Sequence, residues 1–239
     1  MYILKIIALL LIKKYIYLTT MNILVVNGSN KPLKKNLTDF LITRSEFSSV
    51  VVLERKRILN IDKKGILSTN VNSKLKIHEV AFLNKTQISL LVDNLFSSYR
   101  TFSHILFIDE DMNDDQVDFP YFNIENFRSY FVNELMTKVN FFQTLLEKCK
   151  NESLEPSLIV LVPEYAQTKL IKDNITQSIL FSSLHMLTTA IADEFIDYNI
   201  PCNGVLNDDT VVDTLEWMIF QNKDDLHSKL LANKQIIDW

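Results

Sequence analysis

Residues 157–205, SLIVLVPEYAQTKLIKDNITQSILFSSLHMLTTAIADEFIDYNIPCNGV, decide the fold of this chain. The segment opens with an uninterrupted apolar run, 158–162, which is bounded by prolines. Such a run is typical of a strand that is buried on both faces of a parallel sheet. A longer amphipathic stretch, 174–197, leads to a second apolar run, 200–205. A strand, a helix and a strand in this order predict a right-handed crossover in a parallel sheet.

The amphipathic stretch has the period of an α-helix. Its apolar residues recur at steps of three and four, which places them on one helix face. They are Ile175, Ile179, Leu180, Leu184, Leu187, Ile191, Phe195 and Ile196. We therefore expect a helix over 174–197 that packs on the sheet between the two strands.

Length and composition indicate one globular domain without a metal or nucleic acid. The chain has 239 residues, of which 47% are apolar, and this suits a single α/β domain with a sizeable core. The formal net charge of −4 gives no basic footprint for nucleic acid. The two cysteines, Cys149 and Cys202, form neither a disulfide framework nor a metal-ligand cluster, so we expect a reduced, cytoplasmic protein.

Glycine is scarce. The chain has three glycines, whereas average usage of about 7% would give roughly seventeen. Dinucleotide-binding folds use glycine where the backbone must approach a pyrophosphate. This composition therefore argues against a glycine-rich phosphate loop.

The first twenty residues, MYILKIIALLLIKKYIYLTT, have an apolar core at 6–12 that lies between lysines. This core is too short to span a bilayer, which takes about 20 apolar residues, and no small-residue cleavage site of a secretory signal follows it. We favour an upstream start codon, with Met21 as the true beginning, over a signal or membrane-surface segment. The folded domain is therefore expected over 21–239, without a membrane partner.

Residues 191–205, IADEFIDYNIPCNGV, resemble the short-chain dehydrogenase/reductase family at the point where the catalytic helix ends and the next strand begins. The similarity in layout extends over 21–239. It implies one doubly wound, Rossmann-like α/β domain with a mostly parallel sheet and helices on both faces. The further strands are expected at 22–26, 50–55, 77–81, 105–108 and 235–237, and the further helices at 86–99, 127–149 and 211–220.

The family's glycine-rich turn follows the first strand and holds the cofactor's pyrophosphate at a helix N-terminus. Here Gly28 matches the first glycine, but Pro32 and Lys34 fall where the second and third belong. Side chains at those positions would crowd the pyrophosphate and the contact between helix and strand. We therefore expect no NAD(P) binding, or weak binding. The contacts of a bound cofactor would come from Gly28, Asn30, Glu54 and Arg55.

The resemblance implies three catalytic side chains: a Tyr, a Lys four residues later, and a Ser after the fifth strand. By the family's spacing from 192–195, the Tyr falls at Gln177, the Lys at Phe181 and the Ser at Glu164. Gln has no proton to exchange near neutral pH, and Phe supplies no positive charge. Glu164 would act as an acid or base only through a different mechanism.

Two further candidates stay open. Tyr165 and Lys169 satisfy a bare Y-x-x-x-K pattern, although they lie too early in the chain for the family's catalytic helix. The family also carries an Asn on its preceding long helix, where Asn133 and Asn140 compete. Seven residues apart, these two would share a face of a regular helix.

These replacements lead to a functional hypothesis with one alternative. We expect a non-catalytic short-chain dehydrogenase-like protein with a structural or binding role. The alternative is a divergent NAD(P)-dependent oxidoreductase that uses Glu164 or the pair Tyr165 and Lys169. The resemblance also implies a dimer or other homo- or hetero-oligomer through the helices 127–149 and 174–197.

Overall fold

A computed structural model describes the α/β domain and its helices. The described residues are 21–27, 31–55, 66–71, 74–80, 85–108, 124–163, 175–220 and 226–237. The strands are β1 (Met21–Asn27), β2 (Phe47–Arg55), β3 (Ile66–Val71), β4 (Leu75–Val80), β5 (His104–Phe107), β6 (Ser157–Pro163), β7 (Cys202–Asn207), β8 (Leu230–Ala232) and β9 (Gln235–Ile237). The helices are α1 (Lys31–Thr43), α2 (Lys85–Tyr99), α3 (Ile124–Tyr130), α4 (Thr137–Asn151), α5 (Ile175–Phe195) and α6 (Val211–Ile219), and a π-helical turn (Phe131–Met136) joins α3 to α4.

The nine described strands form one sheet in the order β3-β4-β2-β1-β5-β6-β7-β8-β9. The six inner pairings are parallel, and the outermost pairings, β3 with β4 and β8 with β9, are antiparallel. The order reverses between β1 and β5, which is the switch point of a doubly wound sheet. The predicted fold class is therefore confirmed.

Helices cover both faces of the sheet. On one face α2, α4 and α5 pack on apolar side chains that include Leu24, Phe107 and Val160. On the other face α1 and α6 pack on neighbouring side chains of the same strands, such as Val25 and Ile159. Consecutive strand residues point to opposite faces, so these uninterrupted apolar runs require a helical layer on each side.

The connection β7-α6-β8 has the opposite hand to the connection β6-α5-β7. Both β6-α5-β7 and β7-α6-β8 advance in the same direction across the sheet, but α6 lies on the face of α1 rather than that of α5. If β6-α5-β7 is the usual right-handed crossover, β7-α6-β8 is left-handed, which is rare. Specific polar contacts hold this connection and the hairpin that follows it.

Asn203 is the central polar anchor of that region. Its side chain is 1% exposed, its amide donates to the carbonyl of Leu226 (2.7 Å), and its Oδ1 accepts from the N–H of Lys229 (2.9 Å). The turn of the β8-β9 hairpin has positive φ at Asn233 and Lys234, as a type I′ turn requires. The N–H groups of these two turn residues donate to the hydroxyls of Thr210, directly before α6, and of Thr214 on α6.

Three parts of the fold differ from the sequence-based expectation. The stretch 56–76, in which no element was predicted, contains β3, which pairs antiparallel with β4. The predicted last strand, 235–237, is present, but as an antiparallel edge strand beside the unpredicted β8. The predicted helix 127–149 is divided by the π-helical turn. Each feature is six residues or shorter, and segments of that length carry little periodic signal.

A buried histidine and a half-buried tyrosine form a pair between β4 and α2. His78 Nε2 lies 2.8 Å from the hydroxyl of Tyr99. Burial lowers the pKa of His78 below its ordinary value of 6.5 and raises the pKa of the Tyr99 phenol above 10.0. Both groups are therefore held in their neutral forms.

We expect Asn203→Ala to lower the free energy of unfolding by about 2–4 kcal/mol, because two buried backbone groups lose their partner. Urea denaturation followed by circular dichroism measures the change. The control is Asn94→Ala on the exposed face of α2, which should change stability by less than about 0.5 kcal/mol. Equal effects of the two substitutions would contradict the anchoring role of Asn203.

Lowering the pH below 6.5 should destabilise the fold through His78. The folded pKa is depressed, so the unfolded chain takes up the proton first, and stability is lost as the pH falls from 6.5 to the folded pKa. One such group contributes a slope of at most about 1.4 kcal/mol per pH unit. Urea denaturation at several pH values between 7 and 5 gives the free energy of unfolding as a function of pH. This free energy should fall less steeply with falling pH for His78→Gln than for the wild type. An unchanged slope would contradict this assignment.

Candidate functional site

The parallel strands end at one edge of the sheet, where ligands bind in doubly wound folds. The register places Asn27 of β1 beside Glu54 of β2, and Val26 beside Phe107 of β5. Further along the same edge, Pro163 of β6 lies beside Asn207 of β7. The fold therefore brings the ends of five strands together around the switch point between β1 and β5.

Helix α1 begins directly after this switch point. Its first residue is Lys31, so Pro32 and Lys34 belong to its opening turn. Proline is tolerated there because the first N–H groups of a helix have no intrahelical partner. Gly28 and Asn30, the predicted cofactor contacts in the preceding turn, lie outside the described residues.

Glu54 and Arg55 stand at the end of β2, as the sequence predicts for residues near a cofactor's ribose. Glu54 is half-buried and lies in register with Asn27 on one side and Glu79 of β4 on the other. Arg55 is the last residue of β2 and is paired with Val80. Their place at the carboxyl edge agrees with the expectation, and their role with a cofactor stays a prediction.

The catalytic helix of the resembling family corresponds to α5, which connects β6 to β7. Gln177 and Phe181 fall in its first two turns, four residues apart and thus on one face of the helix. Tyr165 and Lys169 both precede Ile175, the first residue of α5. Glu164, Tyr165 and Lys169 lie outside the described residues, so the structure leaves their predicted roles untested.

The π-helical turn changes the relation between the two candidate asparagines. Asn133 belongs to this turn, whereas Asn140 lies on the regular helix α4, where its carbonyl accepts a bond from Thr144. A π turn has more residues per turn than an α-helix, so the seven-residue rule of a regular helix does not apply unchanged between these two positions. The choice between Asn133 and Asn140 for the family's position stays a prediction. Such turns are common at functional sites, and sequence periodicity gave no sign of this one.

An exposed apolar surface lies on α5 and the π-helical turn, which contact each other. We define this α5 surface by Val132, Met136, Ile179 and Met186. Val132 is 51% exposed and Met186 is 66% exposed. Residues 175–192 contain no Lys, Arg, Asp or Glu, so the exposed side of α5 lacks the charges of an ordinary solvated helix until Asp193 and Glu194 in its last turn. The half-buried His185 lies on the same helix, and burial lowers its pKa.

The described part of the chain shows neither a reactive cysteine nor a metal-binding cluster. Cys149 and Cys202 are both fully buried, and burial raises the pKa of Cys149 to about 12 and that of Cys202 further. Neither thiol is therefore a ready nucleophile. Among the described residues there is no group of three or more His, Cys, Asp or Glu side chains that could hold a metal ion. None of the described helices is both long enough and apolar enough to cross a membrane.

Comparison by sequence finds no relative. No protein-family profile matches this chain, and no curated protein matches it.

Comparison with solved structures finds proteins of similar fold. A short-chain dehydrogenase/reductase from Serratia marcescens superimposes with a TM-score of 0.66 at 10% identity, over 88% of this chain and 94% of that one. A short-chain dehydrogenase from Leptospira borgpetersenii with bound NAD+ gives 0.62 at 12% identity, over 79% and 70%. A Brucella ovis oxidoreductase of the short-chain dehydrogenase/reductase family, in complex with partially ordered NAD, gives 0.62 at 11% identity, over 89% and 98%. The chain therefore has the short-chain dehydrogenase/reductase fold.

Proposed function

We propose that this chain is a short-chain dehydrogenase-like protein that lacks the family's oxidoreductase chemistry and serves in the cytoplasm as a structural or binding partner. The observation that carries the proposal is the identity of two residues at the start of α5. Gln177 and Phe181 have the four-residue spacing of the Tyr and Lys in the resembling family, on the helix that joins β6 to β7. The scaffold is kept, while both residue types are changed.

The two replacements remove both parts of the proton transfer. The reaction needs a phenol whose pKa is brought from about 10 towards neutrality by a neighbouring positive charge. An amide such as Gln177 cannot exchange a proton at that pH, and Phe181 carries no charge. Glu164 in the position of the Ser would add a negative charge where a neutral hydroxyl is needed.

The proposal predicts no turnover of NADH or NADPH by the wild-type protein with panels of aldehydes and ketones. Cofactor oxidation is followed by absorbance, with an active short-chain dehydrogenase as the positive control. Turnover that survives repeated purification would overturn the proposal. If Tyr165→Phe loses that turnover and Glu164→Gln keeps it, the reaction is assigned to Tyr165 and Lys169. If Glu164→Gln loses it and Tyr165→Phe keeps it, the reaction is assigned to Glu164.

We further propose that the α5 surface is where the binding role is exercised, through a homo- or hetero-oligomer. Four exposed apolar side chains on adjacent elements, without a charge along 175–192, are unusual for a solvated helix. The surface is also self-compatible, because two copies would bring no like charges of this stretch together. Association would remove Val132 and Met186 from water, which is the main driving force of such contacts.

Met186→Lys should disrupt this association by placing a charge in the apolar contact, and the measurement is the molar mass in solution by light scattering. The matched control is Leu90→Lys on α2, where an apolar side chain that is 55% exposed stands on another surface. We expect a lower mass for Met186→Lys and an unchanged mass for Leu90→Lys. A wild-type protein that is monomeric and captures no partner, or equal effects of both substitutions, would contradict this role.

A further inference from the structure

We infer that the opening turn of α1 does not accept a dinucleotide pyrophosphate, because Pro32 and Lys34 occupy the positions that such binding reserves for glycine. This inference goes beyond the loss of catalysis, since a chain without a catalytic Tyr and Lys could still bind the cofactor. It concerns a different element, α1 rather than α5, and it has its own test.

The opening turn of α1 lacks one hydrogen-bond donor. A helix N-terminus binds phosphate through the N–H groups of its first turn, which have no intrahelical partner. In this structure that turn begins at Lys31, directly after the switch point of the sheet. Pro32 has no N–H, so one of the donors that would face the phosphate is missing.

The space for a pyrophosphate depends on glycine at two positions of this turn. In Rossmann folds the second glycine lets the backbone approach the pyrophosphate, and the third lets the helix lie close to the strand. Counted from Gly28, these positions are Pro32 and Lys34, and the structure places both in α1. Every residue except glycine brings a Cβ to such a position.

Helix α1 is held at its other end by contacts that oppose its withdrawal from a ligand. Leu37 and Leu41 of α1 are completely buried against the sheet. The ammonium group of Lys74 donates to the carbonyl of Ile42 (2.8 Å) and also to that of Arg44, where the helix ends. The Arg44 guanidinium in turn pairs with Glu216 of α6.

Further contacts fix the Arg44 side chain. Its guanidinium lies over the ring of Phe40, 4.8 Å from the ring centre, and over that of Phe220 at 5.5 Å. Cation–π contacts of this kind add to the ion pair with Glu216. The C-terminal end of helix α1 is thus tied to the residue before β4 and to α6.

The test is a calorimetric titration of NADH into the wild type and into Pro32→Gly/Lys34→Gly. The wild type should show no saturable binding below about 1 mM, and the double variant should gain at least about tenfold in affinity. This gain would occur although Lys34→Gly removes a positive charge, which by itself weakens the binding of an anion. Pro32→Ala restores the N–H without the flexibility of glycine and should give a smaller gain.

The matched control is Lys31→Gly/Lys35→Gly, which places two glycines in the same helix outside the family's pattern. It should gain no affinity, and circular dichroism should show that every variant keeps its helix content. Saturable wild-type binding with a dissociation constant below about 1 mM would overturn the inference. A folded Pro32→Gly/Lys34→Gly variant without a gain, or an equal gain in the control, would also overturn it. None of these outcomes depends on turnover, so the proposed loss of catalysis stands or falls separately.

Discussion

The structure depends on the burial of a parallel sheet on both faces. Leu158, Val160 and Val162 of β6 point to one helical layer, and Ile159 and Leu161 point to the other. All five side chains are at most 1% exposed. Each such side chain contributes about 1.5–3 kcal/mol when it leaves water, so neither face can be left without helices. The two-sided burial therefore dictates the helical layers, the crossovers and the common edge at which the parallel strands end.

At the edges of the sheet, polar contacts add to this burial. The β8-β9 hairpin has only three residues in each strand, and its fully buried apolar side chains, Leu230 and Leu231, both lie on β8. Its position on the sheet is also set by Asn203 and by two threonine hydroxyls at and just before the start of α6. At the opposite end of the sheet, Lys74 fixes the end of α1 by binding its last carbonyls, a favourable place for a cation. These groups act locally, and their loss should loosen one connection rather than the whole sheet.

The same physics explains how far the sequence could be interpreted. The apolar run 158–162 and the periodic stretch 174–197 predict β6 and α5 to within a few residues, because long buried elements have a strong pattern. The strands at 77–81 and 235–237 were predicted, but their antiparallel partners β3 and β8 and the π-helical turn were not, since these short features depend on tertiary contacts. The candidate site was located through a resemblance, by counting from 192–195 to Gln177 and Phe181. The structure places both residues at the start of α5, and their assignment to the family's catalytic positions stays a prediction, because chemical function does not follow from placement alone.

In our proposal the chain binds no cofactor, and the residues at these positions then suit the scaffold. Glycine in the first turn of a helix costs conformational entropy, and a nucleotide-binding fold tolerates this cost for the sake of close approach to phosphate. Proline suits the same turn because its φ is already helical and its missing N–H would have been unpaired. A change from glycine to proline at a compatible position typically stabilises a fold by about 0.4–1 kcal/mol through the unfolded state. Pro32 therefore favours the fold, and in our proposal it disfavours a pyrophosphate at the same position. The apolar side chains of the buried strands are needed for stability in either case, whereas oxidoreductase function would make separate demands on Pro32, Lys34, Gln177 and Phe181.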